Sequence, residues 1–305
     1  MKNIISLITF SILLFLVSCK SSYTKIGDKN ANYIPYYLKV YEADSLFIVG
    51  NYQRSYEILD SLFKKYEPVE IQEYREYSNY VFSAVLSGNT QNIKKKAKKG
   101  YIDNGGLNTS NVKVYPLLDS INQVIGFSDK EITKFKEKYN SNINLKLREL
   151  INKMSIDDQA IRGENFKSTE ELEELSRVHE KMITEIFDKY GYPSSKKIGF
   201  EDDLRTVFAH TDPIEFKPNY LLPKLLKYVK RGEEQPDVYA NTYDKWQYTL
   251  SGGEKLYFHP QTNQFNSKQL DSVRNSIGLP HKNYQKWKMD KITKEIEELT
   301  KKATN

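Results

Sequence analysis

Apolar residues recur along this chain at helical spacing, and most runs end in a clear stop. Tyr36, Val40, Ala43 and Phe47 return every three or four residues until Gly50-Asn51-Tyr52 breaks the run. Tyr56, Leu59, Leu62, Phe63 and Tyr66 form a second stripe, closed by Pro68. Tyr77, Tyr80, Val81, Ala84 and Val85 form a third, closed by Ser87-Gly88-Asn89. A helix with one apolar face buries it most simply against an antiparallel neighbour across a short turn, so residues 33–100 are expected as antiparallel helix pairs. Residues 101–141 read as an irregular linker with one short helix.

The period returns at 142. Leu147, Leu150, Ile151 and Met154 mark one helix. Leu172, Leu175, Met182, Ile183, Ile186 and Phe187 mark a long one, stopped by Gly191-Tyr192-Pro193. Leu204, Val207 and Phe208 lead into Ala209-His210-Thr211-Asp212-Pro213, and Tyr220, Leu221, Leu225, Leu226 and Val229 into Gly232. Pro236 opens a helix holding Tyr239, Tyr243 and Trp246. The alternation in WQYTLSGGEKLYFHP (246–260) around Ser-Gly-Gly predicts a β-hairpin. A final helix follows Asp271, and residues 291–305 read as a polar tail helix. The expected fold is therefore mainly α: helix pairs first, then a mostly helical C-terminal domain over 142–290 with one short β-hairpin.

One polar cluster interrupts this pattern. Four residues beyond Met154 stands Asp158, and three or four more reach Ile161 and Arg162. If the helix continues, Asp158 lies on the buried stripe with Arg162 one turn further on. Such a pair on a wet face contributes only about 0.2–0.5 kcal/mol. On the core side it must be fully hydrogen-bonded or it costs stability, which points to a site or a fixed polar network. The alternative ends the helix at Met154, with Ser155 capping a new one and Asp157 and Asp158 at its positive end. The unbroken period favours the continuous helix. His210 stands at a helix C-terminus, where a cation is favoured, and histidine is the residue type best suited to acid–base work near neutral pH. If Asp158, Arg162, His210 and Asp244 converge, they supply an acid, a base and an anion clamp, suited to hydrolysis or anion recognition. Gln159 and Asp212 complete the candidate polar site. The competing reading is a structural network that pins helices together.

Composition narrows the chemistry. Apolar residues are 39% and charged residues 28%, enough for a core inside a polar surface, and 14 Gly and 10 Pro in 305 residues suit helices. The 23 tyrosines suit helix seams near water, having an apolar body and a polar tip. The net charge is +6, densest in KKKAKKG (94–100). That run reads as a helix C-terminus capped by Gly100, or else as a patch for anionic lipid or nucleic acid. No aromatic platform interleaves the lysines, and nucleic acid is not expected as a partner. There is no His-Glu-x-x-His, no phosphate-cradling glycine loop and no serine elbow, so neither metal nor other cofactor is expected.

The first residues are MKNIISLITFSILLFLVSCKSS. Ile4 to Val17 is apolar but shorter than the roughly 20 residues that span a bilayer, and it fits an export signal. Leu16-Val17-Ser18-Cys19 resembles the lipobox of bacterial lipoproteins. That resemblance implies a signal peptide over 1–18, lipidation at Cys19, a polar tether over 19–32 and membrane anchorage through two or three acyl chains. Lys20 rather than aspartate follows Cys19, and no acidic run comes after it. The implied address is therefore the cell envelope, at the periplasmic face of the outer membrane.

Two further stretches carry resemblances. YEADSLFIVGNYQRSYEILDSLFKKYEP (41–68) resembles tetratricopeptide-type repeats, with alanine and phenylalanine on the first helix, a Gly-Asn-Tyr turn and a second helix. It implies a groove for a protein partner, or a scaffold that holds the C-terminal half in place. Asp158-Gln159-x-x-Arg162, Gly191-Tyr192-Pro193 with Gly199, Ala209-His210-x-Asp212, Tyr239-Ala240 with Asp244-Lys245, Val273-Arg274 and Ile277-Gly278-Leu279-Pro280 succeed one another along the chain. This order resembles a C-terminal helical domain of unknown function in bacterial envelope lipoproteins, often found behind tetratricopeptide-like helices. Lys245 stands where arginine is usual, and YTLSGGE replaces a tighter turn. The resemblance implies where a site lies but brings no reaction. The expected function is a protein- or ligand-binding scaffold. The alternatives are an envelope hydrolase using Asp158, Arg162 and His210, or a purely structural lipoprotein.

Overall fold

In the computed structural model, which describes residues 23–109, 111–162, 168–199, 204–252, 255–258 and 267–303, the first two stripes fold as α1 (Ile34–Ile48) and α2 (Tyr52–Phe63). The turn between them is set locally. Gly50 takes φ +85°, and the Asn51 side chain accepts the Arg54 N–H at 3.3 Å, capping α2. Ser55 Oγ donates to Ala43 O at 2.9 Å and ties the pair together. α3 (Glu76–Leu86) packs on α2, with Tyr56 and Tyr80 stacked at 5.4 Å.

The lysine run does not end its helix. α4 (Ile93–Asn104) passes through Gly100 to a left-handed cap at Gly105, φ +75°. Gly100 is buried mid-helix because a Cβ there would lie 2.5 Å from Leu107 Cδ2, so glycine lets the returning chain approach closely. The expected linker is also more ordered than its pattern suggested. A short 3-10 turn (Tyr115–Leu117), α5 (Leu118–Ile125) and α6 (Asp129–Asn142) fill it. α6 starts with a full capping box between Ser128 and Glu131 and buries only Phe135, against Tyr101 and Phe127. One buried position leaves too narrow a stripe to show as a period.

The second half comprises α7 (Leu145–Arg162), α8 (Thr169–Tyr190), α9 (Ser195–Ile198), α10 (Leu204–Ala209), a π turn (Lys217–Leu221), α11 (Leu222–Lys230), α12 (Pro236–Ser251), α13 (Ser267–Ser276) and α14 (Tyr284–Ala303). The described residues are 71% helical and contain no strand. The hairpin expectation is therefore corrected: Trp246–Ser251 are the last turns of α12, closed by Gly252 at φ +73°. Tyr248 and Leu250 are exposed, whereas Trp246 packs on Tyr243 three residues back, so the alternation carried no buried face. The chain returning from α12 does not need a strand partner. Buried Asp244 accepts the N–H groups of Leu256, Tyr257 and Phe258 at 2.9 Å each.

One continuous apolar cluster joins both halves. Tyr37 of α1 donates its hydroxyl to Val229 O at 3.0 Å and to Glu234 O at 2.9 Å. Residues 291–303 of the expected polar tail belong to α14, which lies against α1, and 304–305 lie outside the described residues. There Asp44 accepts from Tyr284 OH at 2.5 Å, Lys288 Nζ at 2.9 Å and Asn79 Nδ2 at 3.3 Å. No helix among the described residues is long and apolar enough to cross a membrane.

Candidate functional site

α7 runs unbroken past Met154, because Ser155 is buried on the inner face and does not start a new helix. The phase of the helix then turns Asp158 inward, leaving it 1% exposed. Its carboxylate is fully engaged. Oδ1 accepts from Arg162 Nε at 3.1 Å, and Oδ2 from Gln159 Nε2 at 2.9 Å, with His210 Nδ1 at 2.7 Å. Burial by itself would raise the Asp158 carboxyl, but the hydrogen bond and charge of His210, then those of Arg162, outweigh it and hold it below the usual carboxylate range. An ionised carboxylate only accepts, so the proton of a neutral His210 sits on Nδ1 and Nε2 keeps its lone pair.

His210 follows α10, and three side chains fix its segment. Lys217 Nζ donates to Ala209 O at 3.0 Å, and Ser176 Oγ to His210 O at 3.0 Å. Glu180 Oε1 accepts the Asp212 N–H at 2.5 Å. Lys217 is buried at the first residue of the π turn. Burial and the nearby charge of Lys245 push its ammonium down to about 8, against the pull of Asp212 and Glu180.

Arg162, Ser176, Glu180, His210 and Asp212 line a cleft of about 930 Å³ between the end of α7, α8 and residues 210–219. Arg162 and His210 form part of its wall, with side chains 24% and 25% exposed. The terminal guanidinium nitrogens of Arg162 and Nε2 of His210 have no partner among the described residues. Glu173, Glu180 and Phe216 add two carboxylates and an aromatic ring. The hydroxyls of Ser176 and Thr211 both donate to backbone carbonyls.

Of the residues singled out in the sequence, Asp158, Gln159, Arg162 and His210 come together. Asp212 lines the same cleft, but its carboxylate holds the turn that leads into the π element, accepting the N–H groups of Ile214, Glu215 and Phe216. Burial would raise that carboxyl, yet these donors and Lys217 hold it low. Asp244 does not join them. Its carboxylate accepts from the backbone of 256–258, so the side chains joined by hydrogen bonds are Asp158, Arg162 and His210, with Gln159 beside them. Cys19 lies outside the described residues.

Two polar residues escaped the sequence reading although their spacing was visible. Lys217 stands four residues before Leu221 and eight before Leu225, on one face. His179, also buried, stands four before Ile183 on the inner stripe of α8. Burial pushes the His179 imidazole down while the charges of Asp158 and Asp157 pull it up, which places a second imidazole in the field of the same carboxylate. Among the described residues no group of three or more His, Cys, Asp or Glu side chains could hold a metal ion. Family models, curated proteins and solved structures contain no match to this chain.

Proposed function

We propose that this is a lipid-anchored envelope protein whose cleft hydrolyses an ester of an anionic ligand. The observation that carries this reading is a buried Asp158 carboxyl group hydrogen-bonded to both Arg162 and His210, which stand at the wall of an open cleft. In the proposed reaction His210 Nε2 accepts a proton from a water attacking the ester carbon or phosphorus. Asp158 stabilises the imidazolium, and the same proton passes to the leaving oxygen. Arg162 presents its terminal nitrogens to the ligand's anionic group, as guanidinium does well. Water is the nucleophile in this scheme because Ser176 and Thr211 are committed to carbonyls.

The membrane address rests on the lipobox-like Leu16-Val17-Ser18-Cys19, and the scaffold role on the tetratricopeptide-like pattern of α1 and α2. Those helices serve this reading by supporting the cleft. Tyr41 and Tyr74 are buried in contact with Tyr284 of α14, so an open aromatic groove for a protein partner is not favoured on that face. The test is release of p-nitrophenol from p-nitrophenyl acetate and p-nitrophenyl phosphate. His210→Gln is expected to lower kcat by about 10²–10⁴-fold, the usual worth of a positioned acid–base group. Arg162→Lys should act mainly on KM. Turnover that survives His210→Gln unchanged, or no turnover of either ester, retires the hydrolase.

A further inference from the structure

Nearly all of the chain's net charge sits on two helices. α4 and α6 together hold nine lysines and four carboxylates, a balance of +5, where the whole chain carries +6. The two helices pack against each other. Lys94 and Lys98 of α4 lean across the seam, 5.8 and 5.4 Å from the ring centres of Phe127 and Phe135, which joins the two sets of cations into one field. Lys94, Lys95 and Lys98 and the four lysines of α6 are exposed, and none has an ion-pair partner among the described residues. Two of the four carboxylates are committed, Asp103 to Lys99 and Glu131 to its capping box.

The C-terminal end of α4, the helix that carries half of this field, lies beside the place where the N-terminal tether joins the fold. Thr24 N donates to Lys65 O and Thr24 O accepts from Glu67 N, each at 2.8 Å. The next residue, Pro68, shares a small crevice with Lys99 and Asp103 of α4. From Cys19 to Tyr23 the chain reaches at most about 14 Å when fully extended. An acylated Cys19 therefore holds this corner of the molecule close to the bilayer. Lysines within a Debye length of the surface, about 8 Å at physiological salt, then meet its charge.

We infer that the lysine face of α4 and α6 is a contact surface for anionic phospholipid headgroups, on which the anchored protein rests. The inference depends on lipidation of Cys19, the same reading that supplies the membrane address above. It does not depend on hydrolysis. Two weak signals, acyl chains and a basic field, are then combined at one end of the molecule. Another macromolecule, such as nucleic acid, would use the lysines equally well, but the membrane also accounts for the closeness of their helix to the tether.

The full chain extracted from membranes is reconstituted into phosphatidylcholine vesicles with and without 30% phosphatidylglycerol. Lysine acetylation is then followed by mass spectrometry. In the anionic vesicles, labelling of Lys94, Lys95, Lys98, Lys134 and Lys138 is expected to slow by about fivefold, the factor implied per lysine at a charged surface. High salt should restore it, and Lys286 and Lys291 of α14 should be unaffected. Equal labelling in both vesicles, or equal protection of the α14 lysines, overturns the surface. Stronger protection by a single-stranded oligonucleotide in neutral vesicles overturns it in favour of nucleic acid. The same spectra report the mass at Cys19. An unmodified thiol overturns the inference at its premise, while an acylated thiol with uniform labelling overturns the lysine surface alone.

Discussion

At the scale of single residues, Asp158 shows what burial does to a carboxylate that has found its partners. On a wet helix face the Asp158–Arg162 spacing would contribute little. Here the acid is out of water and engaged by three side chains, so losing its charge leaves the guanidinium of Arg162 and the Nδ1 of His210 without their anionic acceptor at the cleft wall. Asp158→Asn is expected to cost about 1–3 kcal/mol at neutral pH, measured by urea denaturation. The folded carboxyl is held below its ordinary value, so its contribution is fully present above the unfolded pKa, about 3.9, and is lost as pH falls through the lower folded value. The deficit of the variant should therefore shrink below about pH 4. A deficit that is the same at both ends of that range would show that the charge is not what stabilises the cluster.

At the scale of elements, α12 and the segment after it show a side chain taking the place of a strand. Asp244 gathers three consecutive backbone N–H groups, a job that a hairpin partner would otherwise do. Arg274 of α13 reinforces the same turn by donating to Tyr257 O and, at 2.7 Å, to Pro280 O. Asp244→Ala leaves buried donors unpaired, and each unsatisfied group costs about 1–3 kcal/mol. Amide exchange at Leu256, Tyr257 and Phe258 should accelerate, while exchange at Val207 in α10 should change only with global stability. Unchanged protection at 256–258 would mean that something other than Asp244 holds the turn.

At the scale of the whole molecule, α14 makes the first and last parts of the described chain one unit. Burial pushes the Asp44 carboxyl up, and the charge of Lys288 and the hydroxyl of Tyr284 work against that. Breaking one side of a buried ion pair is costly because the other charge stays behind, by about 3–5 kcal/mol. Lys288→Ala should lower the stability of the entire protein by that order, in a single cooperative transition. Two separate transitions, one of them insensitive to the substitution, would show that the helix pairs and the C-terminal part fold independently.

The helices with a broad apolar stripe and the inward turn of Asp158 were legible in the sequence, because both are matters of phase along one element and the apolar period records phase directly. Lys217 and His179 were legible in the same way, since each stands at i−4 from a buried aliphatic residue. Only the tertiary structure decided which surfaces meet. His210 reaches Asp158 across 52 residues of chain, and nothing in the local spacing of either says so. Asp244 carried the same polar signal as Asp158 yet met backbone donors. α6 buried a single ring, too narrow a face to register as a period. Periodicity says which side of a helix avoids water. It does not say what covers that side, and the cleft exists because of what the long-range packing put there.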